Sequence, residues 1–155
     1  MIQRIQSIWL FLATLTLILM FFLPIVTKGT GPSEASIYTN GLHHILEENG
    51  KKALNVEAFL PLLITQVAIT ILCFANIFYF RRRSLQKRIA IVTIILIGGF
   101  AFWCSIYAKE IPGELDGASF AAGAYLPALA ILFVVLAIFG INKDERLIRS
   151  AERLR

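Results

Sequence analysis

Four long stretches of the chain carry no charged residue. They cover residues 8–26, 59–80, 89–107 and 120–141, and none contains Asp, Glu, Lys, Arg or His. Apolar residues surround each stretch, without the polar stripe that a soluble amphipathic helix keeps. At about 1.5 Å per residue, such helices reach the roughly 30 Å of a bilayer's hydrocarbon core. The pattern predicts an all-α membrane protein, one domain over 1–155, with transmembrane helices at about 5–26, 59–80, 89–107 and 120–141.

The segment 27–58 between the first two predicted helices has a different pattern. It opens with turn-forming residues and then alternates apolar and polar positions, and Asn40-Gly41 is a strong signal for a two-residue hairpin. Asn49-Gly50 indicates a second turn. The pattern favours a small β-hairpin or three-stranded meander in this outer loop, with a short helix over 42–48 as the alternative.

The tail 142–155 has the pattern of an amphipathic helix. Glu145 and Arg149 are four residues apart, and apolar residues recur on one face at Leu147, Ile148, Ala151 and Leu154. Asn142 or Asp144 is expected to cap its start. A basic amphipathic helix beside a membrane either lies on the lipid headgroups or binds a protein partner.

Composition and charge support a membrane protein and indicate its orientation. The chain is 57% hydrophobic and 16% charged, whereas soluble domains average about 45–50% apolar and roughly 25% charged residues. With the N-terminus inside, eleven of the fifteen Lys and Arg residues fall on the inner side, and four fall on the outer side. Because Lys and Arg in short loops mark the cytoplasmic side, we expect both termini in the cytoplasm.

The inner cations are also candidates for contact with partners or lipids. They form a turn cluster and a tail cluster: Arg81, Arg82, Arg83, Lys87, Arg88, Arg146, Arg149, Arg153 and Arg155. Anionic headgroups attract such cations at about 1 kcal/mol each. A ribosome or nucleic-acid contact is the weaker alternative, because no aromatic residues are interleaved with the cations.

Few polar residues occur within the predicted spans. Proton-coupled transporters place ionisable residues there, and these stretches contain none. Gln66 and Asn76 are interpreted as helix-packing contacts or contacts to a partner helix. Small residues permit close approach of helix backbones, so we expect helices three and four to pack together, or to dock another subunit, through Gly98, Gly99, Ala124 and Ala128.

The remaining chemistry is sparse. On a helix, His43 with Glu47 and His44 with Glu48 would have the spacing of two-ligand metal sites, but on a strand the two histidines would point to opposite faces. Cys73 and Cys104 lie within predicted spans without a Cys-x-x-Cys motif, which favours buried free thiols. We therefore expect no catalytic residues, no metal site and no cofactor.

The two ends of the chain resemble those of a known protein family. The start "MIQRIQSIWLFLA" and the end "NKDERLIRSAERLR", with this four-helix pattern between them, resemble an uncharacterised family of small inner-membrane proteins from Bacteroidota, known as a domain of unknown function. The resemblance implies a multi-pass protein of the bacterial inner membrane and brings no catalytic residues.

Three classes of function follow. We favour a non-enzymatic accessory or scaffold subunit of a larger membrane complex, such as a protein-export or envelope-biogenesis machine, with membrane lipids and other integral membrane proteins as partners. The alternative is a small transporter or channel acting as a homo-oligomer, which the uncharged spans disfavour. A membrane enzyme is disfavoured because no nucleophile, base or metal set converges.

Overall fold

Four helices form the body of the protein. The structure, a computed structural model, describes residues 3–30, 33–48, 51–110 and 118–153, with side chains at 6–29, 35–43, 55–80, 82–109 and 118–146. Within these residues the helices are α1 (Gln3–Leu19), α2 (Leu60–Phe78), α3 (Arg83–Tyr107) and α4 (Leu126–Arg153). Three segments, namely α2, α3 and Ala122–Arg146, are long and apolar enough to cross a membrane, and α1 is a shorter apolar helix. A mostly helical chain with several apolar helices is confirmed.

The helices form a ring in which each packs against its neighbours in sequence and α1 closes the ring against α4. Buried positions recur at alternating spacings of four and three residues, as on α2 at Leu62, Gln66, Ile69, Cys73 and Asn76. This average of 3.5 residues keeps one seam of each helix facing its neighbours, as in other antiparallel bundles. Large apolar residues between these positions face outward, among them Ile64, Ile95 and Phe102.

Helix α1 ends at Leu19, and the prediction that it extends to residue 26 was wrong. Pro24 has no N–H to continue a helix, and the Ile25 N–H donates instead to the Ile37 carbonyl at 2.7 Å. The apolar residues after Leu19 therefore form turns and the start of a strand. At about 1.5 Å per residue, the 17 residues of α1 span about 26 Å.

An antiparallel sheet covers one end of the bundle. Its strands are β1 (Val26–Thr30), β2 (Ser33–Tyr38), β3 (Gly41–Glu48), β4 (Lys51–Ala58) and β5 (Ser119–Phe120), in the spatial order β4-β3-β2-β1-β5. The predicted sheet is confirmed, and the alternative helix over 42–48 is wrong. The sheet is larger than a three-stranded meander, because β1 joins it at one side and then pairs with β5. A two-residue strand is too short to leave a sequence pattern.

The predicted hairpin forms, but its two-residue turn lies one residue earlier than Asn40-Gly41. Tyr38 pairs with Gly41, so the two loop residues are Thr39 and Asn40. Gly41 begins β3 with φ of +155°, and a Cβ there would lie 2.3 Å from the Glu57 carbonyl oxygen. The turn predicted at residues 49–50 lies outside the described residues.

The ends of α3 and α4 differ from their predictions. Helix α3 begins at Arg83 instead of residue 89, after a single 3₁₀ turn at Tyr79–Arg81. Helix α4 begins at Leu126 instead of residue 120 and has Pro127 in its first turn. It then continues to Arg153, so a separate tail helix capped by Asn142 or Asp144 was wrong. No Gly or Pro interrupts the chain after Gly140, and the core spacing of α4 continues.

The bundle thus has two distinct ends. The sheet end carries β1 to β5. The basic end carries the start of α1, the α2–α3 turn and the last turns of α4, with the cations Arg82, Arg83, Lys87, Arg88, Lys143 and Arg146 among the residues with described side chains.

Candidate functional site

A layer of four polar side chains crosses the inside of the bundle at the basic end. Each helix contributes one residue at a core position: Gln6 from α1, Asn76 from α2, Gln86 from α3 and Asp144 from α4. These side chains are between 0% and 4% exposed. We refer to these four residues as the polar layer.

Two hydrogen bonds connect the polar layer. The Gln6 Nε2 donates to Asp144 Oδ2, which joins α1 to α4. The Gln86 Nε2 donates to the main-chain oxygen of Asn76 at 3.3 Å, which joins α3 to α2. Gly140 leaves the space that Gln6 needs, because a Cβ there would lie 3.0 Å from Gln6 Cγ.

The packing of α1 against α2 places the two hydrogen-bonded pairs at one depth. Gln66 Nε2 donates to the Leu17 carbonyl at 2.7 Å, and the Cys73 Sγ lies 3.9 Å from the Leu10 carbonyl oxygen. These two contacts are seven residues apart on each antiparallel helix, so they share one register. The same register places Asn76 level with Ser7, the residue after Gln6. The polar layer is therefore one layer of the bundle.

Several atoms of the polar layer have no hydrogen-bond partner. They are Asn76 Oδ1 and Nδ2, Gln86 Oε1 and Asp144 Oδ1. A buried polar atom without a partner costs about 1–3 kcal/mol, so such atoms point to a bound water or ion. Three acceptor oxygens and the amide nitrogen of Asn76 are available in the layer to bind such a water or ion.

Asp144 is a buried ionisable residue just beyond the predicted span 120–141, which itself contains none. It lies within the apolar segment Ala122–Arg146 and is 4% exposed, because α4 continues past the predicted end at residue 141. One signal was present in the sequence. Asp144 continues the four-and-three spacing of the buried positions Ala130, Val134, Ala137 and Ile141.

A second feature is an apolar groove on the outer surface between α2 and α3. It encloses about 550 Å³, and its lining includes Ala68, Leu72, Ile95, Leu96, Gly99 and Trp103. Ala68 and Gly99 are small, whereas the other residues of this set are large. We refer to this groove as the lateral groove.

The predicted packing residues separate into two groups. Gln66 and Asn76 lie in the core of the bundle, and Ala124 is half-buried against that core. Gly98, Gly99 and Ala128 are exposed, and a Cβ at either glycine would have no atom within 4 Å. The contact of α3 with α4 therefore does not depend on these glycines, while docking of another subunit on them stays a prediction.

The predicted cation clusters lie at the basic end where their side chains are described. Arg82 and Arg88 are exposed, and Arg83 is half-buried. Lys87 and Arg146 line a groove of about 350 Å³ between α3 and α4, together with Asn142 and Glu145. The side chains of Arg81, Arg149 and Arg153 and all of Arg155 lie outside the described part of the chain.

The histidine and cysteine predictions have clear outcomes. His43 lies on β3, with its ring 4.7 Å from the ring of Tyr38, so the helical pairing with Glu47 is wrong. Among the residues that the structure describes, no three His, Cys, Asp or Glu side chains could hold a metal ion together. Cys73 and Cys104 are buried free thiols, as predicted.

Together, the apolar helices, the polar layer at one end and the sheet over the other have the architecture of a multi-pass membrane protein. The chain belongs to the family of a domain of unknown function, DUF4293, whose sequence profile matches residues 2–154. No curated protein matches the chain. This match confirms that the chain belongs to a family of unknown function over nearly its whole length, and it assigns no activity.

Proposed function

We propose that this protein is a non-enzymatic accessory or scaffold subunit of a larger complex in the bacterial inner membrane, such as a protein-export or envelope-biogenesis machine. The whole chain acts as one four-helix transmembrane domain. Its partners are membrane lipids and other integral membrane proteins. The lateral groove is the observation that carries this proposal.

The lateral groove has the properties of a helix-docking surface. Helices in membranes associate where small residues let backbones approach closely. Gly98 and Gly99 lie in the middle of α3 and meet no side chain of their own bundle, and Trp103 and Leu96 provide walls. A transmembrane helix of a partner protein would fill the groove and contact the glycine backbone. Lipid tails would gain less from that backbone because they lack a rigid complementary surface.

The distribution of cations supports an orientation with the basic end in the cytoplasm. All described side chains of the turn cluster lie there, and Lys and Arg in short loops mark the cytoplasmic side. The sheet end then lies outside the cytoplasm. In this orientation the tail of α4 reaches into the cytoplasm, where its cations contact a partner or anionic headgroups.

Co-purification in mild detergent tests this proposal. The full-length chain should recover a stoichiometric integral membrane partner. Gly99→Leu should fill the lateral groove and reduce that recovery at least about tenfold, as expected for losing a central contact of an interface. Ala128→Leu is the comparison variant, because Ala128 is an exposed small residue on α4 outside the groove lining. Retained recovery would locate the docking contact in the lateral groove, and lost recovery would locate it on α4. Absence of any partner for the full-length chain would contradict the accessory-subunit proposal.

The tail is tested in the same experiment. The chain should be cut after Arg146, so that Asp144 and its bond to Gln6 remain. The truncated protein should insert normally and lose partner recovery, and charge reversal at Arg149 and Arg153 should weaken recovery in a salt-sensitive way. Full recovery by the truncated protein would assign the tail to the lipid surface alone.

A small transporter or channel acting as a homo-oligomer is a second candidate, and the buried Asp144 favours it. Ionisable residues inside membrane segments usually mark ion or substrate pathways. If the purified protein proved to be a homo-oligomer without a foreign partner, this second candidate would replace the first.

A further inference from the structure

We propose that the polar layer binds one monovalent metal cation, coordinated by Asp144 Oδ1, Gln86 Oε1 and Asn76 Oδ1. This site goes beyond the proposed role as an accessory subunit and does not depend on it. Water molecules would complete the coordination of the ion.

The charge of Asp144 is the first argument. A carboxylate that is 4% exposed within an apolar helix bundle needs a positive counter-charge. Gln6 gives Asp144 Oδ2 a neutral amide donor and no charge. Lys143 and Arg146 are the nearest cations on α4 with described side chains, and both are exposed. Asp144 Oδ1 has no hydrogen-bond partner. Among the residues whose side chains the structure describes, none uses this acceptor.

The chemistry of the available atoms is the second argument. Carboxylate and amide oxygens are the ligands of hard cations. Gln86 Oε1 and Asn76 Oδ1 are buried without partners, as Asp144 Oδ1 is, and the three residues come from three different helices. The register of α1 against α2 and the Gln6–Asp144 bond place them in one layer. A cation between these oxygens would satisfy all three and join α2, α3 and α4.

The surrounding charges favour an ion with a single charge. The layer contributes one carboxylate, which neutralises one positive charge. The adjacent groove of about 350 Å³ is lined by two cations, Lys87 and Arg146, and by one carboxylate, Glu145. A single positive charge therefore balances Asp144, and the groove adds no net negative charge to balance a second one. Lys87 follows Gln86 and Glu145 follows Asp144 in the sequence, so this groove lies at the same level of the bundle as the layer.

The test measures cation-dependent stability of the full-length protein in detergent. Thermal unfolding is followed in sodium, lithium, potassium and choline chloride at equal ionic strength, and binding of the most effective ion is measured by isothermal titration calorimetry. At least one alkali cation should raise Tm in a saturable way relative to choline, because an ion that binds only the folded state stabilises it. Asp144→Asn should abolish this shift. Glu57→Gln, a charge-matched change at an exposed residue of the sheet end, should retain it.

Two further variants remove single ligands while keeping the charge. Asn76→Ala and Gln86→Ala should each weaken the affinity at least about tenfold, the size typical for residues that support a metal site. They carry the test if Asp144→Asn fails to fold. Equal Tm in choline and in all alkali chlorides would overturn the proposal and leave a layer satisfied by water or by a proton on Asp144. Unchanged affinity in both amide variants would also overturn it. Neither outcome bears on partner recovery, so the two proposals fail separately.

Discussion

Gln66 shows how a single buried polar side chain completes a helix end. The Phe21 N–H bonds to the Ile18 carbonyl, so the Leu17 carbonyl receives no bond from its own helix. Gln66 Nε2 supplies that bond from α2 at 2.7 Å, and Gln66 is fully buried. In an apolar environment an unpaired main-chain carbonyl is costly. One amide therefore lets α1 end inside the bundle, before the chain turns into the sheet.

We predict that Gln66→Leu lowers the free energy of unfolding by about 1–3 kcal/mol, because it leaves the Leu17 carbonyl buried without a donor. Unfolding in mixed micelles titrated with SDS measures the change. Thr70→Val is the control, since the Thr70 hydroxyl bonds to a carbonyl of its own helix and its loss leaves no acceptor unpaired. A loss of stability in Thr70→Val equal to that in Gln66→Leu would contradict this explanation.

At the scale of elements, a short segment between α3 and α4 fastens the sheet to the bundle. The Ala121 N–H donates to the Ile25 carbonyl at 3.0 Å, and the Gly123 N–H donates to the Pro24 carbonyl at 2.9 Å. Next to these bonds, β5 pairs with β1. Gly123 is required for the close approach, since a Cβ there would lie 2.4 Å from the Pro24 carbonyl oxygen.

Gly123→Ala should lower the free energy of unfolding by about 1–3 kcal/mol, because the added methyl group forces two main-chain segments apart. Gly98→Ala is the matched control, since a Cβ at Gly98 meets nothing within 4 Å. Its stability should stay equal or rise slightly, as alanine favours a helix more than glycine does. Both variants are compared by the same SDS titration. Equal stability of Gly123→Ala and the unchanged protein would refute this role of Gly123.

At the scale of the whole molecule, charge separates the two ends of the bundle. The fifteen Lys and Arg residues outnumber the ten acids, and the cations concentrate in the α2–α3 turn and the last turns of α4. A membrane protein with such an asymmetry inserts with its basic side in the cytoplasm. Orientation is therefore a property of the entire chain, since no single arginine determines it.

Single cysteines test this orientation in a background without Cys73 and Cys104. Ser119→Cys at the sheet end should react with an impermeant thiol reagent in intact spheroplasts, and Ser84→Cys at the basic end should react only after lysis. Both serines are exposed, which makes them a matched pair. Labelling of Ser84→Cys but not Ser119→Cys in intact spheroplasts would reverse the assigned orientation.

Local patterns were sufficient for part of this architecture. Uncharged stretches predict apolar helices because a charge in hydrocarbon is costly at any position, and the alternating segment 27–58 predicts a sheet because strands have a period of two. The start of α1, the course of α2 and the strand character of Gly41–Glu48 follow from such rules. The ends of helices were less predictable. At Leu19 and Leu126 the apolar sequence continues beyond the helix end, and long-range hydrogen bonds determine where the helix stops.

By itself, the sequence determined the class of the protein: several apolar helices, a polar outer loop that forms a sheet, and one strongly basic side. The helices and the sheet depend on neighbouring residues, and the basic side follows from adding the cations of separate inner segments. Tertiary structure alone decided that Asp144 lies inside the bundle beside Gln6, that β5 joins β1, and that Gly98 and Gly99 face outward. In a uniformly apolar helix, hydropathy does not distinguish one face from another. The inward face is therefore determined only when the other helices pack against it.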